Sequence, residues 1–143
     1  MIKKVLVPVD LQDAKFSLGA LKIALREVKE SGCELHIITV LPGYNNAIVA
    51  SYFSEEDHKA GLKKAAQSLL DFVKANVDDE IKPALKVYDG SAAEKINRYV
   101  RDKGIDLVVM RAHQRSKVSE FFLGSVASRV VERAKCSVYI LKD

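Results

Sequence analysis

Cysteine is scarce in this 143-residue chain: Cys33 and Cys136 are its only two. Each sits beside or within an apolar run, "CELHIITV" and "CSVYIL", where a small buried thiol is the default, so a disulfide framework is excluded. Long apolar stretches are missing as well. None approaches the ~18 residues of a membrane span. Lys3 and Lys4 lead only into a short apolar run that ends at Pro8, which is not the pattern of a secretory signal. A cytoplasmic location is expected by elimination. Three prolines, seven glycines and no low-complexity tract leave the composition of an ordinary soluble globular protein.

The signatures of several enzyme classes are also lacking. There is no GxxxxGK run followed by Ser or Thr, which argues against a P-loop ATPase, and no glycine fingerprint after the first strand, which argues against a dinucleotide-binding dehydrogenase. No His/Cys cluster suits a metal, and no Ser-His-Asp or Cys-His spacing is legible. His36 alternates with apolar residues in a strand-like run, and His58 falls on a charged helix face, neither with a nucleophile nearby. The chain is therefore not expected to be an enzyme. The net charge of +4 is mild, with Lys and Glu interspersed. A nucleic-acid binder would gather its basic residues on one face with aromatics between them. Only the 111–117 stretch, with Arg111, His113, Arg115 and Lys117, is basic without acidic relief, and it suits a small anion better than a polymer.

What is present reads as one domain, 1–143, long enough to bury about two-thirds of its unfolded surface. "IKKVLVPVD" is a strand-length apolar run closed by Pro8 and Asp10; Leu18, Leu21, Leu25 and Val28 then recur at helical spacing until Gly32. "CELHIITVL" is a second strand, ended by Pro42-Gly43. The 44–53 stretch has no period and several exposed-looking apolar residues, as a flap or interface element would. Ser54 with Asp57 forms a capping box for a helix whose face is Leu62, Ala65, Ala66, Leu69 and Val73. "ALKVYDG" is the third strand. Ser91 with Glu94 reads as a second capping box, and Ala93, Ile96 and Val100 as the buried stripe of a helix ending at Gly104. "IDLVVM" is strand four. Val126, Val130 and Ala134 mark a last helix, and "CSVYILK" strand five.

Strands two, four and five are nearly continuous apolar runs, as expected when both faces are covered. The alternation of strand and helix implies an α/β fold: a doubly wound three-layer sandwich on a parallel sheet, with right-handed crossovers. Ligands of such sheets bind beyond the carboxyl ends of the strands, where the strand order reverses, which singles out Asp10, Val40 and the 111–125 region. Gly124-Ser125 immediately precedes the last helix, so the N–H groups there lie at its positive end. Gly admits close backbone approach and Ser adds a donor; a plain cap by Ser125 is the competing reading. Asp10 has two readings as well, a hydrogen bond to a ribose or base, or a cap for the first helix together with Asp13. An acidic pair of Asp10 and Asp13, with Asp89 and Lys142, also faintly suggests a phosphoacceptor receiver, but Lys142 is penultimate and receivers continue into another helix.

"KKVLVPVD", "DGSAAEKINRYVRDKGIDLVVM" and "HQRSKVSEFFLGSVASRVVERAKCSVYIL" together resemble the universal stress protein family over essentially the whole chain. The family signature is Gly-x2-Gly-x9-Gly-Ser/Thr. Laid on it, Arg111 and Gln114 replace the first two glycines, and Gly124 and Ser125 keep the last pair at the right spacing. The "RAHQRS" loop is most similar to the fermentation-associated members. The resemblance implies an adenine nucleotide alpha hydrolase-like sheet of five parallel strands in the order 3-2-1-4-5. It implies an ATP site in which Pro8, Val9, Asp10 and Val40 hold the adenosine, and Arg111, His113, Gln114, Arg115, Gly124, Ser125 and Val126 surround the phosphates. Mg2+ is left open as a companion of ATP, and any hydrolysis is expected to be slow. It further implies a stress-response sensor or regulator that forms a homodimer through the edge strand 136–142, with no nucleic acid or membrane as partner. The alternative is a dimeric interaction module of the same family that binds no nucleotide, with 44–53 as partner surface and Arg111 and Gln114 filling the former phosphate site.

Overall fold

Parallel pairing joins every strand of the computed structural model, which describes residues 1–41, 54–112 and 123–142. The strands are β1 (Lys4–Pro8), β2 (Glu34–Leu41), β3 (Ala84–Asp89), β4 (Leu107–Arg111) and β5 (Ser137–Leu141), and their order is β3-β2-β1-β4-β5. The helices among the described residues are α1 (Leu18–Ser31), α2 (Glu55–Asn76), α3 (Ala92–Lys103) and α4 (Ser125–Arg133). A 3-10 segment, Leu11–Ser17, joins β1 to α1.

Alternation along the strands builds two apolar layers. Val5 and Val7 of β1 pack with Leu35 and Ile37 of β2 beneath α1 and α2, where Leu21, Leu69 and Phe72 close the layer. Leu6, Ile38, Val108 and Met110 point to the opposite face, beneath Ile96 and Val100 of α3 and Val130 of α4. Because successive side chains of a strand face opposite ways, a strand apolar at every position needs cover on both faces, and β1, β2 and β4 have it. The doubly wound fold expected from the sequence is the fold observed. β5 differs. It is the edge strand, and Tyr139 is 47% exposed, so its apolar run does not mean burial on both faces.

Two local expectations also change. Ser54 caps α2 as expected, its Oγ accepting the Asp57 N–H at 3.1 Å. Ser91 occupies the cap position of α3, but its side chain makes no capping bond; it lines a small polar notch with Asn97 and Arg129 instead. In α4 the buried positions are Ala127 and Val130. Val126 is 38% exposed, because the first turn of α4 faces an open cleft and not the core.

At the amino end of the sheet, Asp106 Oδ2 accepts the backbone N–H groups of Lys3 and Lys4 at 2.9 and 3.0 Å. These bonds, that from Lys3 first, hold its carboxyl below the usual range. The resulting stabilisation is fully present above the unfolded-state value and is lost as pH falls through the lowered folded-state value. Asp106→Asn is therefore expected to be less stable than the wild type at neutral pH, with the gap narrowing at a pH below the ordinary aspartate range as the carboxyl takes up its proton. Urea midpoints of the two proteins at neutral pH and in that acid range test this.

Candidate functional site

The strand order reverses at β1, whose neighbours β2 and β4 are reached by chain excursions in opposite directions. The connections leaving the carboxyl ends of β1 and β4 therefore diverge, which opens a crevice there. A cleft of about 490 Å³ occupies this position. Pro8, Val9 and Asp10 follow β1 into it, Val40 reaches it from β2, and Arg111 from the last position of β4. Gly124, Ser125 and Val126 form its wall at the start of α4. Every candidate residue among the described ones thus borders one cleft. His113, Gln114 and Arg115, with Lys117 and the 44–53 stretch, lie outside the described residues.

Hydrogen bonds pin the backbone at the end of β1. The Val9 N–H donates to Ile38 O at 2.8 Å, and the buried Thr39 hydroxyl donates to Val9 O at 2.8 Å. Asp10 does act as a cap, but for the 3-10 segment and not for α1: its Oδ1 accepts the Gln12 N–H at 3.0 Å. Its own N–H donates to Ser17 Oγ at 3.3 Å. Asp13 adds no side-chain bond to the cap; its N–H donates to Asp10 O at 3.1 Å. It sits inside the segment at φ −138°, ψ 67°, where the helical path breaks. The two readings of Asp10 are compatible, because a carboxylate accepts several hydrogen bonds and this exposed one borders the cleft as it caps.

Gly124 is the residue before α4, at φ 81° and ψ 154°, a conformation almost reserved for glycine. Its carbonyl accepts the Ser128 N–H at 3.0 Å and closes the first turn. Ser125 is therefore the first helical residue and not the cap. The leading N–H groups of α4 have no acceptor within the helix, and the helix begins at the cleft wall.

Arg111 belongs to β4 itself, paired with Leu141 of β5. Among the described residues only glycines have positive φ, so a side chain at 111 carries no backbone strain. Its guanidinium lies over the Phe16 ring, 4.8 Å from the centroid. Phe16, with Gln12 and Ser17, brings the 3-10 segment into the cleft. These residues had no signal in the sequence, because "LQDAKFS" shows no period. Ile96, read as core, also lines the cleft, alongside Met110 and Ala127.

Other groups prove structural. Buried His36 places Nδ1 2.7 Å from the Tyr99 hydroxyl and Nε2 3.2 Å from Glu34 Oε2. His58 pairs with Asp89 at 2.6 Å, which engages the aspartate that a receiver-type acidic pocket would need. Cys33 is buried and Cys136 half-buried, both as free thiols, and burial pushes the Cys136 thiol up.

A five-stranded parallel sheet with helices on both faces and a crevice at the reversal point defines a doubly wound α/β protein. Within that class the chain belongs to the universal stress protein family, whose model matches residues 1–142. Universal stress protein MJ0531 of Methanocaldococcus jannaschii is 30% identical over 143 residues, covering 99% of this chain and 83% of its own. The solved structure of MJ0577, described as a universal stress protein of the same organism, superimposes with a TM-score of 0.79 at 24% identity, covering 100% of this chain and 97% of the other. A universal stress protein solved in complex with cAMP gives a TM-score of 0.62 at 23% identity, with 99% and 97% covered. The two structures share the fold. No helix among the described residues is long and apolar enough to cross a membrane.

Proposed function

We propose that this protein binds an adenine nucleotide, ATP foremost, in the cleft at the carboxyl ends of β1, β2 and β4. It would act as a cytoplasmic stress-response sensor or regulator. The observation that carries this reading is the start of α4: a glycine at φ 81° opens a helix against the same cleft that Asp10 and Val40 border. A helix N-terminus with available N–H donors favours phosphate, and about 490 Å³ lies within the usual span of small-molecule sites. The family member solved with cAMP adds support for an adenine nucleotide. Asp10 would bind ribose or base, while Arg111, Ser125 and the amides of α4 would bind phosphate. Hydrolysis would be slow at most, because none of Arg111, Gly124, Ser125 and Val126 carries a general base. The half-exposed Tyr139 on edge strand β5 supports pairing of two copies there.

Calorimetric titration with ATP, with and without Mg2+, tests the proposal directly. Binding is expected, with a rise in the unfolding temperature and absorbance at 260 nm in protein purified without added nucleotide. No heat and no thermal shift at millimolar ATP would overturn it in favour of an interaction module without nucleotide.

A further inference from the structure

We infer that the notch between α3 and α4 is a second anion site, apart from the nucleotide cleft, and that it takes inorganic phosphate in preference to sulfate. The notch has a volume of about 150 Å³, room for about five water-sized groups and so for one tetrahedral oxoanion. Ser91 and Glu94 line it at the start of α3, Asn97 lies further along the same helix, and Arg129 and Arg133 face them from α4. The two arginines stand one turn apart on one face of α4, and neither is in an ion pair with a described residue. The 12-residue α3 begins here with Ser91 at its cap position, yet the Ser91 hydroxyl makes no capping bond. Its leading N–H groups therefore lack the acceptor that a cap side chain supplies, and their positive field adds to that of the guanidinium groups. The inference does not depend on the nucleotide reading. Gly90 and Ala92 line the cleft while Ser91 and Glu94 line the notch, so the first turn of α3 lies between the two.

Asn97 supplies the selectivity. It is 5% exposed and forms part of the notch wall. Its Nδ2 donates to Arg129 O at 3.5 Å. A carbonyl only accepts, so this bond fixes the orientation of the amide. Oδ1 is then the buried atom with no partner among the described residues. An unmet buried acceptor is costly, and a ligand that brings a donor relieves the cost. Sulfate at neutral pH is a pure acceptor. Inorganic phosphate is also an anion but keeps at least one proton there, so a P–OH can donate to Asn97 Oδ1. Its other oxygens accept from the arginine forks and the α3 amides, as charge-assisted bonds. Glu94 acts in the same sense, because its carboxylate repels a bare oxoanion and can accept from a protonated one.

The test is an NMR titration of the 15N-labelled protein with inorganic phosphate and with sulfate, at neutral pH and without nucleotide. Phosphate should shift the Ala93 and Glu94 amide resonances saturably, with a Kd of about 0.1–10 mM, as suits so small a ligand. Sulfate should bind at least ~10-fold more weakly, the worth of one buried acceptor left unmet. Arg129→Gln combined with Arg133→Gln removes both charges from exposed positions and should weaken phosphate at least ~10-fold. Asn97→Leu removes the acceptor at similar volume, so the phosphate and sulfate affinities should come within about twofold of each other. Urea denaturation shows whether that buried variant is folded, and the arginine pair decides the matter if it is not. Equal affinities for the two ions in the wild type, or undiminished phosphate binding without the arginines, would overturn the inference. So would phosphate shifts centred on the Ser125 and Val126 amides, which would put the ion in the nucleotide cleft and leave the nucleotide reading standing. Failure of ATP to bind would overturn that reading alone.

Discussion

Gly124→Asp is expected to abolish ATP binding, lowering affinity at least ~100-fold, because two penalties fall on one position. The first is conformational. At φ 81° and ψ 154° a residue with a Cβ is strained by about 1–3 kcal/mol, so the turn into α4 either loses stability or moves. The second is electrostatic. A carboxylate at the residue before the helix takes the place that an anionic ligand would occupy and competes for the same amide donors. Gly124→Ala separates the two, since it brings the strain without the charge, and should bind ATP more weakly than wild type but clearly better than Gly124→Asp. Titration calorimetry gives the affinities, and urea denaturation gives the stability cost on a common scale. Wild-type affinity in Gly124→Asp would show that phosphate does not sit at the start of α4.

The sequence discloses this turn more plainly than most of the cleft, for a physical reason. Gly-Ser before a helical period is a local signal, and so are the β-branched runs of β1, β2 and β4 and the glycines that end α1 and α3. Local periodicity also placed Asp10 and Val40, because in a parallel sheet the carboxyl end of a strand is where ligands meet the chain. What stayed hidden was set by contacts between distant segments. Phe16 enters the cleft only because a 3-10 turn, and not a helix, follows Asp10. Arg111 stacks on Phe16 across 95 residues, counting from 16 to 111. Ser91 has the sequence of a cap and the backbone of a cap, yet its side chain makes no capping bond. Phe16, Arg111 and Ser91 sit at the cleft or beside it, where residues are not placed by a helix period, whereas β5 kept an apolar run at a sheet edge with Tyr139 half-exposed.

The same contrast yields the second large effect. His36 reads in the sequence as a lone polar residue in an apolar strand, yet it is buried, so both ring nitrogens need partners. The tautomer with the proton on Nε2 satisfies them: Nε2–H donates to Glu34 at 3.2 Å and Nδ1 accepts the Tyr99 hydroxyl at 2.7 Å. Burial raises the Tyr99 hydroxyl above its ordinary value, with the Tyr88 and Glu34 charges adding to it, so the phenol keeps its proton and donates. Tyr99→Phe removes that donor and little volume. It should cost about 1–3 kcal/mol, the desolvation of an acceptor left unmet. For a domain of this size that lowers the unfolding temperature by about 3–10 °C. Tyr99→Phe combined with His36→Leu removes both partners, and should recover a large part of the loss because no buried polar atom then stands alone. The double-mutant cycle, read by urea denaturation, isolates the coupling between strand β2 and helix α3. Additive losses in the double variant would mean that the hydroxyl and the imidazole contribute independently, and that packing of the rings, which meet edge to face at 5.6 Å, accounts for the stabilisation instead.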